Sequence, residues 1–199
     1  MVQLADVADA SAPSFEAPSF EASPFEAPSI EGAILDTPHA RPGDLLELAR
    51  FLAAEPGLAD RLIAETAERT WLALPSGPGV VAWLIAWPPG TGTGWHDHGG
   101  AAGAMVAVAG ELTERSTEAP ADHDYTQPLP LPDENGRVRR LAAGQGRAFT
   151  ARHVHEVTND GDVTAYSVHV YGPDLTLMRR YVPSGGVLLP IGAEIAGDW

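Results

Sequence analysis

The sequence predicts a mainly β fold, a sandwich or small barrel, led by two short helices and preceded by an acidic repeat tail. From Arg69 onward, apolar residues recur in short strand-like runs. Gly and Pro, 21 and 18 of the 199 residues, punctuate those runs as turns between strands do. Before Arg69 the apolar spacing is instead helical.

Residues 12–31 read APSFE, APSFE, ASPFE, APSIE, repeats that close on Glu16, Glu21, Glu26 and Glu31. Pro in every repeat blocks a continuous helix. One Phe or Ile per repeat cannot bury enough surface to offset ordering the backbone. The expectation is a disordered tail over 1–38 and one domain over 39–199. Asp44 is a candidate N-cap, with Leu45, Leu48, Phe51 and Leu52 at helical spacing until Pro56 stops the run. Leu58, Leu62, Ile63 and Ala67 suggest a second short helix. The expected strands are 71–74, 80–87, 104–109, 138–141, 145–150, 153–158, 163–171 and 175–182. Residues 115–137, polar and Pro-rich, read as a long loop.

Composition excludes several chemistries. The chain has no Cys, so disulfides, thiolate metal sites and Cys nucleophiles are absent, leaving His and carboxylate as the strong ligands. All twelve basic residues are Arg, which excludes a Schiff-base lysine. A formal net charge of −15 makes nucleic acid and anionic membranes poor partners. No apolar run approaches a membrane span, and the expectation is a soluble cytoplasmic monomer.

The informative residues are histidines. His96 and His98 are two apart, so on an extended segment both rings leave one face. His153 and His155 form a second such pair. A mononuclear metal site needs a third ligand, and the spacing alone allows either member of the second pair.

Gly90, His96, His98 and Gly110 resemble the first metal-binding motif of the cupin superfamily, whose fold is a double-stranded β-helix (jelly-roll) barrel. Gly144, Thr150, Arg152, His155 and Asn159 are similar in spacing to the second motif, with Thr150 and Arg152 replacing its usual Pro and Gly. The resemblance selects His155, because Asn159 follows it at the motif's spacing. It also implies that the Glu ligand usual in the first motif is missing, since Gly103 stands there.

A cupin with three His and no carboxylate is similar to the thiol dioxygenases, of the cysteine dioxygenase family. Ser167-Val168-His169-Val170-Tyr171 followed by Gly172-Pro173 resembles that family's Ser-His-Tyr signature, and His155-Glu156-Val157-Thr158-Asn159 its ligand segment. Alternation places Ser167, His169 and Tyr171 on one face. The resemblance covers about 69–182 and implies a mononuclear Fe(II) held by His96, His98 and His155, with Tyr171, His169 and Ser167 as catalytic groups. It further implies that Arg69 holds the substrate carboxylate, by the paired bonds a guanidinium can make. The Tyr that often precedes that Arg in the family is Ala67 here. The Cys that crosslinks to the catalytic Tyr in mammalian members is Gly103, so Tyr171 should be an unmodified phenol. Trp95 and the Gly99-Gly100 turn are expected to shape the metal's surroundings.

The expected reaction is oxidation of the L-cysteine thiol by O2 to the sulfinic acid, with a small-molecule thiol and O2 as partners. The alternatives are 3-mercaptopropionate or another small thiol as substrate, or a non-catalytic metal-binding cupin.

Overall fold

The computed structural model describes residues 41–63, 67–173 and 175–196, and the tail expected over 1–38 lies outside them. Helix α1 (Pro42–Ala53) comes first. Pro42 suits its opening position, where the missing N–H would have had no partner and φ is already helical. The cap is the extended Arg41 rather than Asp44, which sits in the first turn and meets the positive end of the helix dipole.

The second helix expected from Leu58 to Ala67 does not form as read. Leu58–Arg61 is a single 3-10 turn and Leu62 is already extended. Leu58 is buried, but Ile63 is 70% exposed, so no apolar face remains to stabilise further turns.

Among the described residues twelve strands follow: β1 (Thr70–Leu74), β2 (Val81–Trp87), β3 (Trp95–His96), β4 (Ala102–Ala109), β5 (Glu111–Glu118), β6 (Leu129–Pro130), β7 (Arg137–Ala142), β8 (Gly146–Phe149), β9 (His153–Thr158), β10 (Ala165–Gly172), β11 (Leu177–Ser184) and β12 (Val187–Ile195). They form two sheets, ordered β1-β2-β10-β4-β8 and β6-β12-β11-β3-β9-β5-β7. Neighbours distant in sequence pair antiparallel, β2 with β10 and β3 with both β9 and β11. The chain therefore passes back and forth between the sheets, the winding of a double-stranded β-helix, as the resemblance implies. At Gly110 it crosses from β4 in one sheet to β5 in the other. Its φ of 70° and a Cβ position 2.9 Å from Ala165 leave room only for glycine.

Register assigns the faces. In the first sheet Trp83 lies opposite His169, Ile85 opposite Ser167, His169 opposite Met105, and Gly103 opposite Phe149. These residues face inward, where Trp87, Met105, Phe149 and Tyr171 join Leu112, Val157 and Met178 from the second sheet in one core. The other face of the first sheet presents Ala82, Leu84, Ala104, Val106, Val168 and Val170 to Leu45, Ala49 and Leu58. Helix α1 is held there by Leu45, whose full burial contributes about 1.5–3 kcal/mol. A third cluster, with Trp95, Val154, Tyr181 and Leu188, lies outside the second sheet. Trp95 therefore packs on the side opposite His96 and does not line the histidine site as expected.

The long loop expected over 115–137 is shorter than read, because β5 runs to Glu118 and β7 begins at Arg137. Strand β12, absent from the sequence reading, pairs with β11 along its whole length.

Candidate metal centre

Three histidines converge on the inner face of the second sheet. Strand β3 is only two residues long and lies between β11 and β9, so His96 stands opposite both Arg180 and His155. His98 follows at the turn through Gly99. Ring centroids are 4.7 Å apart for His96–His155 and 5.0 Å for both His96–His98 and His98–His155. One nitrogen from each lies within 4.8 Å of the others, and all three side chains are buried.

Asp97, between the two histidines, turns to the opposite side. It accepts hydrogen bonds from Tyr181 Oη (2.6 Å), Arg179 Nη1 (3.1 Å) and the Gly99 N–H (2.8 Å), which pin the loop from behind. Arg179 in turn stacks over Tyr125 at 4.3 Å. Gly99 has φ 61°, and a Cβ there would meet Leu177 O at 2.5 Å, so the turn after His98 requires glycine.

The donor set fits a cation. Burial, with the neighbouring rings, holds His96 and His98 well below the usual histidine range and lowers His155 to about 4. All three are therefore neutral near pH 7, the form that ligates metal. His96 Nδ1 donates to the Gly94 carbonyl (3.0 Å), which leaves Nε2 with its lone pair. His155 Nδ1 lies 2.9 Å from Glu114 Oε1 and leaves its Nε2 likewise. Among the described residues neither ring nitrogen of His98 has a hydrogen-bond partner, although both are buried. A buried polar atom without a partner is costly, and a metal ion would satisfy it.

Glu114, which sequence reasoning missed, lies behind His155. Its Oε1 is 3.0 Å from His153 Nε2 as well as 2.9 Å from His155 Nδ1, and its Oε2 takes Arg147 Nη1 at 2.5 Å. Burial would raise this carboxyl, but the hydrogen bonds from His153 and His155 and the Arg147 charge hold it well below the carboxylate range. Glu114, His153 and His155 are also close enough to hold an ion. Their spacing is that of hydrogen bonds, and the adjacent guanidinium opposes a second cation. His153 thus faces Glu114, while His155 faces both Glu114 and the other histidines.

On the first sheet, Ser167, His169 and Tyr171 share the inward face, as alternation requires. His169 Nε2 is 2.9 Å from Ser167 Oγ and His169 Nδ1 is 3.1 Å from Tyr171 Oη. Trp87 extends the chain, donating its Nε1–H to Ser167 Oγ at 2.8 Å. Burial lowers His169 to about 3 and pushes the Tyr171 phenol well above its ordinary value, so both are neutral. The Tyr171 and His98 ring centroids are 4.8 Å apart, which brings the relay beside the histidine cluster.

A cavity of about 260 Å³ opens between the two groups, lined by His96, His155 and Tyr171 together with Arg69, Trp87 and Arg180. The guanidinium of Arg69 lies 5.2 Å over the Trp87 ring. Burial and the charge of Arg180 lower its pKa. Arg180 is neutralised by Glu194 at 2.6 Å. The cavity thus places the Arg69 guanidinium, a neutral phenol and a histidine cluster around a volume suited to an amino-acid-sized molecule.

A family model described as cysteine dioxygenase type I matches residues 59–184. Among solved structures, the chain is similar to TT1209 from Thermus thermophilus, with 21% identity over 58% of this chain and 93% of that one and a TM-score of 0.45. It is also similar to a cupin superfamily protein from Desulfitobacterium hafniense DCB-2, with 14% identity, 59% and 88% coverage and a TM-score of 0.44. KdgF from Halomonas sp. matches at 14% identity, 57% and 84% coverage and a TM-score of 0.43.

Proposed function

Since the chain belongs to the cysteine dioxygenase type I family, we propose that it oxidises the thiol of L-cysteine with O2 to cysteine sulfinate, at a mononuclear Fe(II) held by His96, His98 and His155. The observation that supports this reading most is that Arg69 lines the same cavity as His96, His155 and Tyr171. When bound, iron supplies the Lewis acidity that ionises the thiol and the redox partner that dioxygen needs. Three neutral imidazoles leave the full positive charge of the metal, which favours an anionic sulfur donor.

The protein's own groups bind and orient. Arg69 holds the substrate carboxylate through two parallel hydrogen bonds, in a place where partial burial strengthens them. Tyr171 supplies a proton donor, and the relay behind it decides which way that proton points. The Trp87 N–H can only donate, so the Ser167 hydroxyl accepts there and, in the arrangement we propose, gives its own proton to His169 Nε2. His169 then carries its ring proton on Nδ1 toward the Tyr171 oxygen, which frees the phenol O–H for the cavity. Trp83, Leu175 and Met178 line the same space and limit water. The net change is balanced: thiol plus O2 gives the sulfinic acid, with both oxygens on sulfur and the carbon–sulfur bond retained.

A non-catalytic metal-binding cupin would have no use for a buried phenol fixed by three further side chains. The substrate is less sharply constrained, because 3-mercaptopropionate also carries one thiol and one carboxylate. The test is oxygen uptake by the iron-loaded protein with cysteine, 3-mercaptopropionate and cysteamine in parallel. Fastest uptake with cysteine is expected. Preference for 3-mercaptopropionate would reassign the substrate, and no uptake with any thiol at full iron loading would remove the enzyme reading.

A further inference from the structure

We propose that Glu114 is a positioning residue of the metal centre: it holds His155 as the Nδ1–H tautomer, and His153, a second donor on the same oxygen, moderates that hold. The inference rests on the reading of His155 as a metal ligand.

Glu114 is fully buried on β5, and the register that sets Ser116 opposite His155 and Glu114 opposite Val157 places it diagonally behind the ligand. Its Oε2 is occupied by Arg147 at 2.5 Å, a side chain from β8 in the other sheet. The carboxylate is therefore fixed from across the barrel, and Oε1 is aimed at the two histidines. Packing alone gives no reason for a charge here, since a buried ion pair is at best a weak source of stability. Its geometry gives one. A carboxylate accepting from Nδ1–H fixes the tautomer, directs Nε2 to the metal and strengthens that nitrogen as a donor. His153 lies at nearly the same distance from Oε1, 3.0 Å against 2.9 Å, and so divides that oxygen's accepting capacity between two N–H groups.

Co(II), whose visible absorption reports its ligands, is the probe for affinity, with unfolding of the metal-free protein measured alongside. Glu114→Gln keeps the shape and removes the charge. It is expected to weaken Co(II) binding about 10- to 100-fold and to shift the absorption. His153→Leu leaves Oε1 to His155 alone and should bind Co(II) at least as tightly as the wild type. Glu114→Gln that folds and binds Co(II) with wild-type affinity and spectrum overturns the proposal. So does His153→Leu that loses Co(II) as completely as His155→Ala. Should Glu114→Gln fail to fold, 15N NMR of the metal-free wild-type protein decides: the His155 Nδ1 must carry the ring proton, and an unprotonated Nδ1 overturns the proposal. Wild-type protein that takes up no Co(II) overturns instead the metal reading on which it rests.

Discussion

Phe149 stands so close to Gly103 that a β-carbon at position 103 would collide with its ring and lie 2.9 Å from Tyr171 Cδ1. The same ring stacks on His98 and on His153, each with planes 22° apart. Position 103 is where a cupin usually carries its Glu ligand. Here the space is already filled by Phe149, an aromatic wall of the histidine cluster, so packing keeps any longer side chain out of position 103.

Gly103→Cys should therefore strain the contact with Phe149 and Tyr171. Overpacking at such a contact costs about 1–3 kcal/mol, so the expected result is a lower unfolding midpoint. Adding Phe149→Ala should recover part of the stability. Gly103→Cys as stable as the wild type would contradict this packing account.

Arg69→Gln should separate substrates by their carboxylate. A hydrogen bond to a charged group is worth about 1.5–3 kcal/mol, so KM for cysteine should rise about tenfold or more. Cysteamine, which has no carboxylate, should be turned over as by the wild type. Equal losses on both would mean that Arg69 acts through the fold.

Trp87→Phe removes the N–H that orients Ser167 and through it His169 and Tyr171. A typical net hydrogen bond of about 0.5–1.5 kcal/mol implies a kcat loss of a few-fold to about tenfold, with KM little changed. Tyr171→Phe, which removes the donor itself, should cost more. The order reversed would place the relay outside the reaction.

The metal-free protein should lose stability as pH falls below about 6.5. The His169 ring titrates near 6.5 when unfolded and, because of burial, near 3 when folded. Between those values the unfolded state takes up a proton that the folded state refuses. The contribution is complete above about 6.5 and decays as pH drops toward 3, by about 1.4 kcal/mol per pH unit while the window lasts. His155, lowered to about 4, acts with the same sign. Urea midpoints at pH 7.5, 6 and 5 should decline in that order, and a flat series would contradict the buried neutral ring.

Much of this architecture was legible because alternation in the inward strands is strict. Ser167, His169 and Tyr171 could be set on one face from spacing alone, whereas the register that sets Trp83 opposite His169 and Ile85 opposite Ser167 could not. Strand β5 was not legible. Glu111-Leu112-Thr113-Glu114-Arg115-Ser116-Thr117-Glu118 has the hydropathy of a loop, yet Glu114 and Ser116 are buried. The protein makes this possible by pairing Glu114 with Arg147 and two histidines brought in from other strands, partners no local pattern can reveal. The available signal was the apolar strand ending at Gly110, after which a continued period of two would have placed Leu112, Glu114 and Ser116 on one face. The second helix failed for the converse reason: Leu62 packs on the core from an extended backbone, while Ile63 has helical spacing but no core to face.

The fate of the two atoms of dioxygen decides the reaction. Iron-loaded protein given cysteine under 18O2 should yield cysteine sulfinate in which both sulfinate oxygens carry the label, one molecule of product for each O2 consumed. Cystine as the product, or a sulfinate with one labelled oxygen or none, would contradict a thiol dioxygenase.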